Sequence, residues 1–328
     1  MLSGSGYAKT QGEILAEALS LIGYKVTTKS SFVNRVIRFI DTIFYLLIRR
    51  RNYDIVIIQI YGGLSFVLED IASAIARFHK KKIIMTLHGG ALPSFLIDKQ
   101  TWGRRVFSRA TYITSPSSYL IDNLSFLSLK MIEIPNIIDL KDYQFKDRIS
   151  FDPKLFWMRA YHEIYNPLLA LEVFDRLCVV YPNAKLTMAG PDMGLLNEVK
   201  KRAAVSKNYD NIEILNIIDL GMKQHIAANH DIYLNTNLID NTPVSMIEMA
   251  AFGLPLVSTN VGGIPYLFEN GRSALLGHSQ DPDDLAKCAT QIIDNPELGK
   301  GLVREARKIA EKFDWSNVQV KWNKILTL

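Results

Sequence analysis

Cysteine is nearly absent from this chain: Cys178 and Cys288 are its only two in 328 residues. Two thiols so far apart build neither a disulfide framework nor a thiolate metal cluster, so a reducing, cytoplasmic setting is expected. Long apolar runs are also lacking. The most apolar stretch, Phe39 to Ile48, is too short to span a bilayer and contains Asp41. The opening residues, MLSGSGYAKTQGE, have no apolar core of the kind a signal peptide needs. Zinc-finger spacing and nucleic-acid-binding motifs are missing too, so nucleic acid is not an expected partner. What is present, 48% apolar and 22% charged residues, is the composition of a globular protein long enough for two domains.

Charge of one sign is unevenly spread. Residues 1–140 hold 17 Lys/Arg against 10 Asp/Glu, whereas the remainder holds 21 against 23. The N-terminal half is therefore expected to meet something anionic, either a phosphate-bearing acceptor or an anionic membrane surface. Phe32 to Arg51 reads as an amphipathic helix ending in Arg49-Arg50-Arg51, with polar positions Arg35, Arg38, Asp41 and Thr42 at helical spacing. Such a helix suits packing on a sheet, with its basic end matching the dipole, and it also suits peripheral contact with a membrane.

The chain otherwise alternates strand and helix patterns. After the glycine-rich start, containing Gly4 and Gly6, come a helix over Gln11–Ile22 and a strand near Lys25–Thr28. GSGYAKT fails as a P-loop, because Ala8 stands where glycine is needed and no strand precedes it. Asp54–Ile60 and Lys82–Leu87 are β-branched apolar runs typical of buried parallel strands, separated by a helix over Gly63–His79. His88-Gly89-Gly90 follows the second strand at its carboxyl end, where ligands bind in such folds. Further strands are expected at Tyr112–Thr114 and Met131–Ile134, with a helix over Ser117–Phe126 between them. Residues 141–152 break the periodicity and read as a linker between a domain over 1–140 and one over 153–310. A terminal helix over 311–328 completes the chain.

In the second half, Leu155–Met158 reads as a strand followed by Arg159, and Asn166-Pro167 starts a helix to about Val180. Strands at Lys185–Ala189, Asn211–Leu215 and Asp231–Asn235 follow, and the last leads into DNTPVSMIEMAAFGLPLVSTNVGG, Asp240 to Gly263. Here Thr242 is expected to cap a helix with Pro243 in its first turn, Gly253 to stop it, and Leu256–Thr259 to form a buried strand. The segment Thr242-Pro243-Val244-Ser245, with free N–H groups at Thr242, Val244 and Ser245, would face an anion, with Asp240 and Glu248 on either side of it. The same spacing fits a plain capped helix with Glu248 on a solvated face. Asp281-Pro282-Asp283 has the look of a metal-binding DxD, but it stands at a helix start, where capping explains it more simply.

Asp240-x7-Glu248 with the following AAFGLPLVSTNVGGIP resembles the E-x7-E motif of family 4 glycosyltransferases, which are retaining enzymes of the GT-B fold. The PNIID segment, Pro135 to Asp139, resembles that family's PNGID. The resemblance implies two Rossmann-like, doubly wound α/β domains facing a cleft, with a terminal helix crossing back to the first. It implies a nucleotide-sugar donor, UDP- or GDP-linked, and a glycan or lipid-linked acceptor. No cofactor and no metal are implied. Asp240 would face the sugar, residues 242–245 and Arg159 would hold the diphosphate, Glu248 the ribose, and His88 would lie by the anomeric carbon. Gly4 and Gly6 would form the first glycine-rich loop, and either the usual first strand is absent or it begins upstream of Met1. Asp240 replaces the usual Glu, and the lysine expected five residues after Arg159 is missing, with His162 as a partial substitute. These departures support an alternative, a weak or inactive nucleotide-sugar-binding protein in a polysaccharide assembly.

Overall fold

A computed structural model describes residues 9–29, 32 and 34–327. The chain divides into two compact units. One comprises the residues up to Ile137 together with the last helix, and the other comprises Ile138–Asp314. Gly4 and Gly6 lie outside the described residues.

The first unit is built on a parallel sheet ordered β1 (Ile55–Ile60), β2 (Lys82–Leu87), β3 (Tyr112–Ser115), β4 (Met131–Glu133). Helices α1 (Gln11–Leu21), α2 (Arg35–Ile48), α3 (Ser65–Phe78), α4 (Leu92–Ile97), α5 (Gln100–Phe107) and α6 (Ser118–Asn123) flank it. The uninterrupted apolar run of β2 is explained by burial on both faces. Ile83, Met85 and Leu87 pack with Phe66 and Phe107 on one side, and Ile84 packs with Leu15 and Leu19 on the other. Thr10 and Glu13 close a reciprocal cap at the start of α1. The strand expected at Lys25–Thr28 does not form. The segment turns Tyr24 and Val26 toward the core, but among the described residues it has no ladder partner, and β1 is the last described strand on that side of the sheet. Side-chain alternation alone therefore overstated it.

The second unit carries a six-stranded parallel sheet. Its strands are β5 (Lys154–Met158), β6 (Lys185–Ala189), β7 (Ile212–Leu215), β8 (Ile232–Asn235), β9 (Leu256–Thr259) and β10 (Leu275–Gly277), ordered β10-β9-β8-β5-β6-β7. The helices are α7 (Pro167–Val180), α8 (Leu196–Ala204), α9 (Leu220–Asn229), α10 (Val244–Phe252), α11 (Ile264–Leu267), α12 (Pro282–Asp294) and α13 (Pro296–Glu311). From β5 the chain winds outward through β6 and β7, then returns to β8 on the other side of β5. That is the doubly wound Rossmann order, and its reversal between β5 and β8 opens a crevice at their carboxyl ends. Asp281 caps α12 through the Asp284 N–H at 3.0 Å, and Asp283 pairs with Arg176, so the DxD look reflects a helix start. The last helix, α14 (Trp315–Thr327), packs Val318 and Trp322 against Ile84 and Ile134 of the first unit.

Residues 141–152, read from sequence as a linker, are instead a structural part of the second unit. The buried Arg148 donates to the carbonyls of Gly253 at 2.7 Å, Ala227 at 2.5 Å and His230 at 2.9 Å, and it pairs with Asp231 at 3.3 Å. A guanidinium with five donors can tie three segments together in this way, which hydropathy periodicity does not register.

Candidate active site

The crevice at the β5–β8 reversal gathers side chains from both strand ends. Arg159, one residue past β5, is fixed by its backbone N–H to the Ala189 carbonyl at 3.1 Å. Its guanidinium Nη2 lies 2.6 Å from Asp240 Oδ2, its Nη1 donates to Ser245 Oγ at 3.2 Å, and its plane covers the Tyr165 ring at 4.0 Å. Both members of the ion pair are 13% exposed, so this is a part-buried pair and not the surface bridge that the sequence also allowed. Burial and the Asp240 charge act on Arg159 in opposite directions, and the guanidinium is held even more firmly protonated than usual. Burial pushes the Asp240 carboxyl up, against the pull of Arg159 and the N–H groups of Asn241 and Thr242. Asn237 Nδ2 donates to the same Oδ2 at 2.7 Å.

Two glycines make the arrangement possible. Gly190 follows β6 with φ +155°, and a Cβ there would overlap the Arg159 carbonyl. Gly262 has φ +55°, and a Cβ there would overlap the Asp240 carbonyl, to which the Gly263 N–H donates at 2.8 Å.

Helix α10 starts at Val244, with Pro243 as the capping residue and no side-chain cap. The expected Thr242 cap is therefore not made. Thr242 Oγ1 is buried without a hydrogen-bond partner, as are Asn237 Oδ1 and Arg159 Nε. Three orphaned polar atoms around one helix N-terminus are unusual, since buried polar groups are nearly always paired. The helix ends at Gly253 in the left-handed conformation. Glu248 faces inward and not toward solvent, its Oε1 accepting from Tyr143 Oη at 2.8 Å and from Lys223 Nζ at 2.7 Å. Burial and the neighbouring Glu248 carboxylate hold the Tyr143 phenol well above its usual range. Tyr143 and Lys223 escaped the sequence reading because they stand 105 and 25 residues from Glu248 and carry no local pattern. Asn237 was within reach of it, three residues before Asp240 in the same loop. His162 makes no hydrogen bond to the pair's charged atoms: its Nδ1 accepts from the Ile164 N–H in a local turn, and its ring meets the edge of Tyr165.

In the first unit, His88 follows β2 with its backbone N–H on the Ile60 carbonyl. The ring stacks on Tyr61 with centroids 5.0 Å apart, and its Nε2 meets Gln59 Oε1. Burial pushes the imidazole down to about 4, so it is neutral at physiological pH. Nearby, Glu69 accepts from the Tyr61 N–H at 3.1 Å, and burial pushes its carboxyl up to about 7. The signs of the two groups oppose. An unfolded His88 gains a proton below pH 6.5 that the folded ring refuses, so its stability contribution is lost as pH falls from 6.5 toward 4. A shift of that size corresponds to about 3 kcal/mol. Comparing chemical denaturation of the wild type and His88→Phe across this window, the stability advantage of the wild type should shrink with acidification; a constant difference would contradict the buried, neutral ring.

Residues 144–309 match the model for "Glycosyl transferases group 1", and the chain belongs to that family. It is 28% identical over 136 residues to a phosphatidylinositol N-acetylglucosaminyltransferase subunit from Arabidopsis thaliana, covering 39% of this chain and 29% of that protein. It is 23% identical over 315 residues to the gpi3 subunit of the corresponding Schizosaccharomyces pombe transferase, covering 92% of this chain and 66% of that one. The matched region is thus under a third of the first relative's length and about two thirds of the second's. Among solved structures, Anabaena Alr3699/HepE in complex with UDP and glucose superposes with a TM-score of 0.74 at 14% identity, covering 92% of this chain and 85% of that one. The fold is accordingly GT-B-like, with two Rossmann-like parallel-sheet units. Among the described residues no helix is long and apolar enough to cross a membrane.

Proposed function

We propose that the chain is a retaining family 4 glycosyltransferase. It moves a sugar from a UDP- or GDP-linked donor to a hydroxyl of a glycan or lipid-linked acceptor. The observation that carries this is the convergence of Arg159, Asp240 and the α10 N-terminus at the sheet reversal, with Arg159 Nε, Asn237 Oδ1 and Thr242 Oγ1 left unpaired. A donor diphosphate would give Arg159 Nε and the Thr242 hydroxyl an acceptor, and a sugar hydroxyl would donate to Asn237 Oδ1. The Arg159 fork and the N–H groups at the start of α10 would neutralise the charge that develops as the bond to the sugar breaks, with no metal required. Asp240 would turn toward the sugar hydroxyls. Glu248, positioned by Tyr143 and Lys223, would accept from the ribose. His88, neutral and with its Nε2–H held on Gln59 Oε1 and its ring on Tyr61, would offer Nδ1 as an acceptor to a sugar hydroxyl. Gly4 and Gly6 would border the diphosphate. The UDP and glucose carried by the Anabaena structure are consistent with such a donor.

A second reading, nucleotide-sugar binding with little transfer, is favoured by Ile164 or Tyr165 standing where the diphosphate lysine belongs. A panel of UDP- and GDP-sugars, scored for thermal stabilisation and nucleotide release, separates the two. Transfer predicts one stabilising donor that is slowly hydrolysed, binding weakened about tenfold or more in Glu248→Ala, and release lost chiefly in His88→Ala. Binding without release, unchanged in His88→Ala, would select the second reading.

A further inference from the structure

The first unit exposes a surface that the donor site does not use. On α2, Val36, Ile37, Ile40, Phe44, Leu47 and Ile48 are each between 49% and 65% exposed. At about 100° per residue they fall within an arc of roughly 120° on one side of the helix. Leu46, on the opposite side, is buried in the core with Ile58 and Phe66. Six large apolar side chains left in water on one helix face exceed what scattered surface hydrophobics account for.

The basic end of this helix continues the surface. Arg50 and Arg51 border a shallow cavity of about 360 Å³ whose other walls are Phe78, His79, Lys80 and Lys81, just beyond α3. Phe78 is 79% exposed at its rim, and His79 Nε2 has no hydrogen-bond partner. The acidic groups on this side are already engaged. Asp41 pairs with Lys29 at 3.1 Å, and Asp54 pairs with Lys81 at 3.5 Å. Arg49, Arg50, Arg51 and Lys80 are therefore surplus positive charge beside an apolar stripe.

We propose that this face docks on an anionic phospholipid bilayer, with the α2 stripe entering the interface and the cavity receiving lipid phosphate. Charge decides between occupants. A second copy seated on the stripe would leave the arginine cluster of each copy without an anionic partner, whereas a negatively charged lipid surface supplies one. A stripe of this width, with basic residues at its edge, suits a helix lying in the membrane plane. The docking does not depend on the transferase reading, because vesicle binding involves no turnover.

The test is co-sedimentation of the full chain with vesicles of phosphatidylcholine alone or with one third phosphatidylglycerol. Binding to the anionic vesicles should exceed that to the neutral ones about tenfold or more and should fall with salt. Arg50→Glu/Arg51→Glu and Phe44→Asp should each weaken it about tenfold, with helicity and melting temperature retained. Ile40→Ser should weaken it less, and Lys200→Glu, exposed on the other unit, should leave it unchanged. Millimolar inorganic phosphate should not compete, since the apolar stripe supplies much of the attraction. Equal binding to both vesicles, or insensitivity to the arginine reversals, would overturn the proposal. So would a chain that ignores vesicles and sediments as a dimer broken by Phe44→Asp, which would give the face to a second copy.

Discussion

Arg159→Ala is expected to destabilise the second unit by about 3 kcal/mol, because it strands the largely enclosed Asp240 carboxylate without its partner. The lost pair leaves Asn237 Nδ2 and two backbone N–H groups on the carboxylate, too little to replace a guanidinium at 2.6 Å. The penalty should depend on pH with a defined sign. Burial already raises the Asp240 carboxyl, and removing Arg159 raises it further. The variant thus regains stability as pH falls toward the unfolded carboxylate value near 3.8 and loses it again as pH rises. Removing Asp240 as well should cost less than the two single losses together. Denaturant titration of the four proteins gives the coupling directly, and strictly additive losses would mean that the pair is not a unit.

Gly190→Ala should be as damaging without altering any functional group. Its Cβ would overlap the carbonyl of Arg159, a backbone atom that cannot move aside as a side chain can. Overpacking against fixed atoms costs about 1–3 kcal/mol or more, and the positive φ adds about 1 kcal/mol. A loss of about 4 kcal/mol is expected, together with a displaced Arg159 and loss of any ligand it holds. Gly194→Ala is the control: its φ is +114°, yet nothing lies within 4 Å of the added carbon, so about 1–2 kcal/mol of backbone strain alone should appear. Equal losses at the two positions would show that the close approach at Arg159 contributes nothing.

These two variants touch the part of the molecule that the sequence disclosed best. Lys82–Leu87 and Leu256–Thr259 are legible as strands because both their faces are buried, so the apolar run is continuous. The α10 region is legible because its punctuation is local, with Pro243 at the start and Gly253 at the stop. Asp240 and Arg159 could each be singled out, but their pairing across 81 residues depends on β5 and β8 being neighbours at the sheet reversal. Fold order supplies that adjacency, and spacing does not. The segment at residues 25–28 shows the converse limit, since alternation marks a buried face without providing a ladder. Arg148 was hidden for a third reason. A charged residue in an aperiodic stretch reads as solvated linker, and only the convergence of the carbonyl-bearing ends of α9 and α10 makes its burial favourable. Tyr143 and Lys223 reach Glu248 in the same way, from elements with patterns of their own.

The role proposed for the α10 N-terminus, with Arg159 and Glu248, is to bind a nucleoside diphosphate without a metal. Calorimetric titration of UDP and GDP into the full chain in the presence of EDTA tests it most directly. Saturable one-site binding of one nucleotide is expected. That binding should be weakened about tenfold or more in Glu248→Ala and abolished in Arg159→Lys, whose single ammonium cannot reproduce the bidentate fork. No heat with either nucleotide, or binding indifferent to both substitutions, would contradict it.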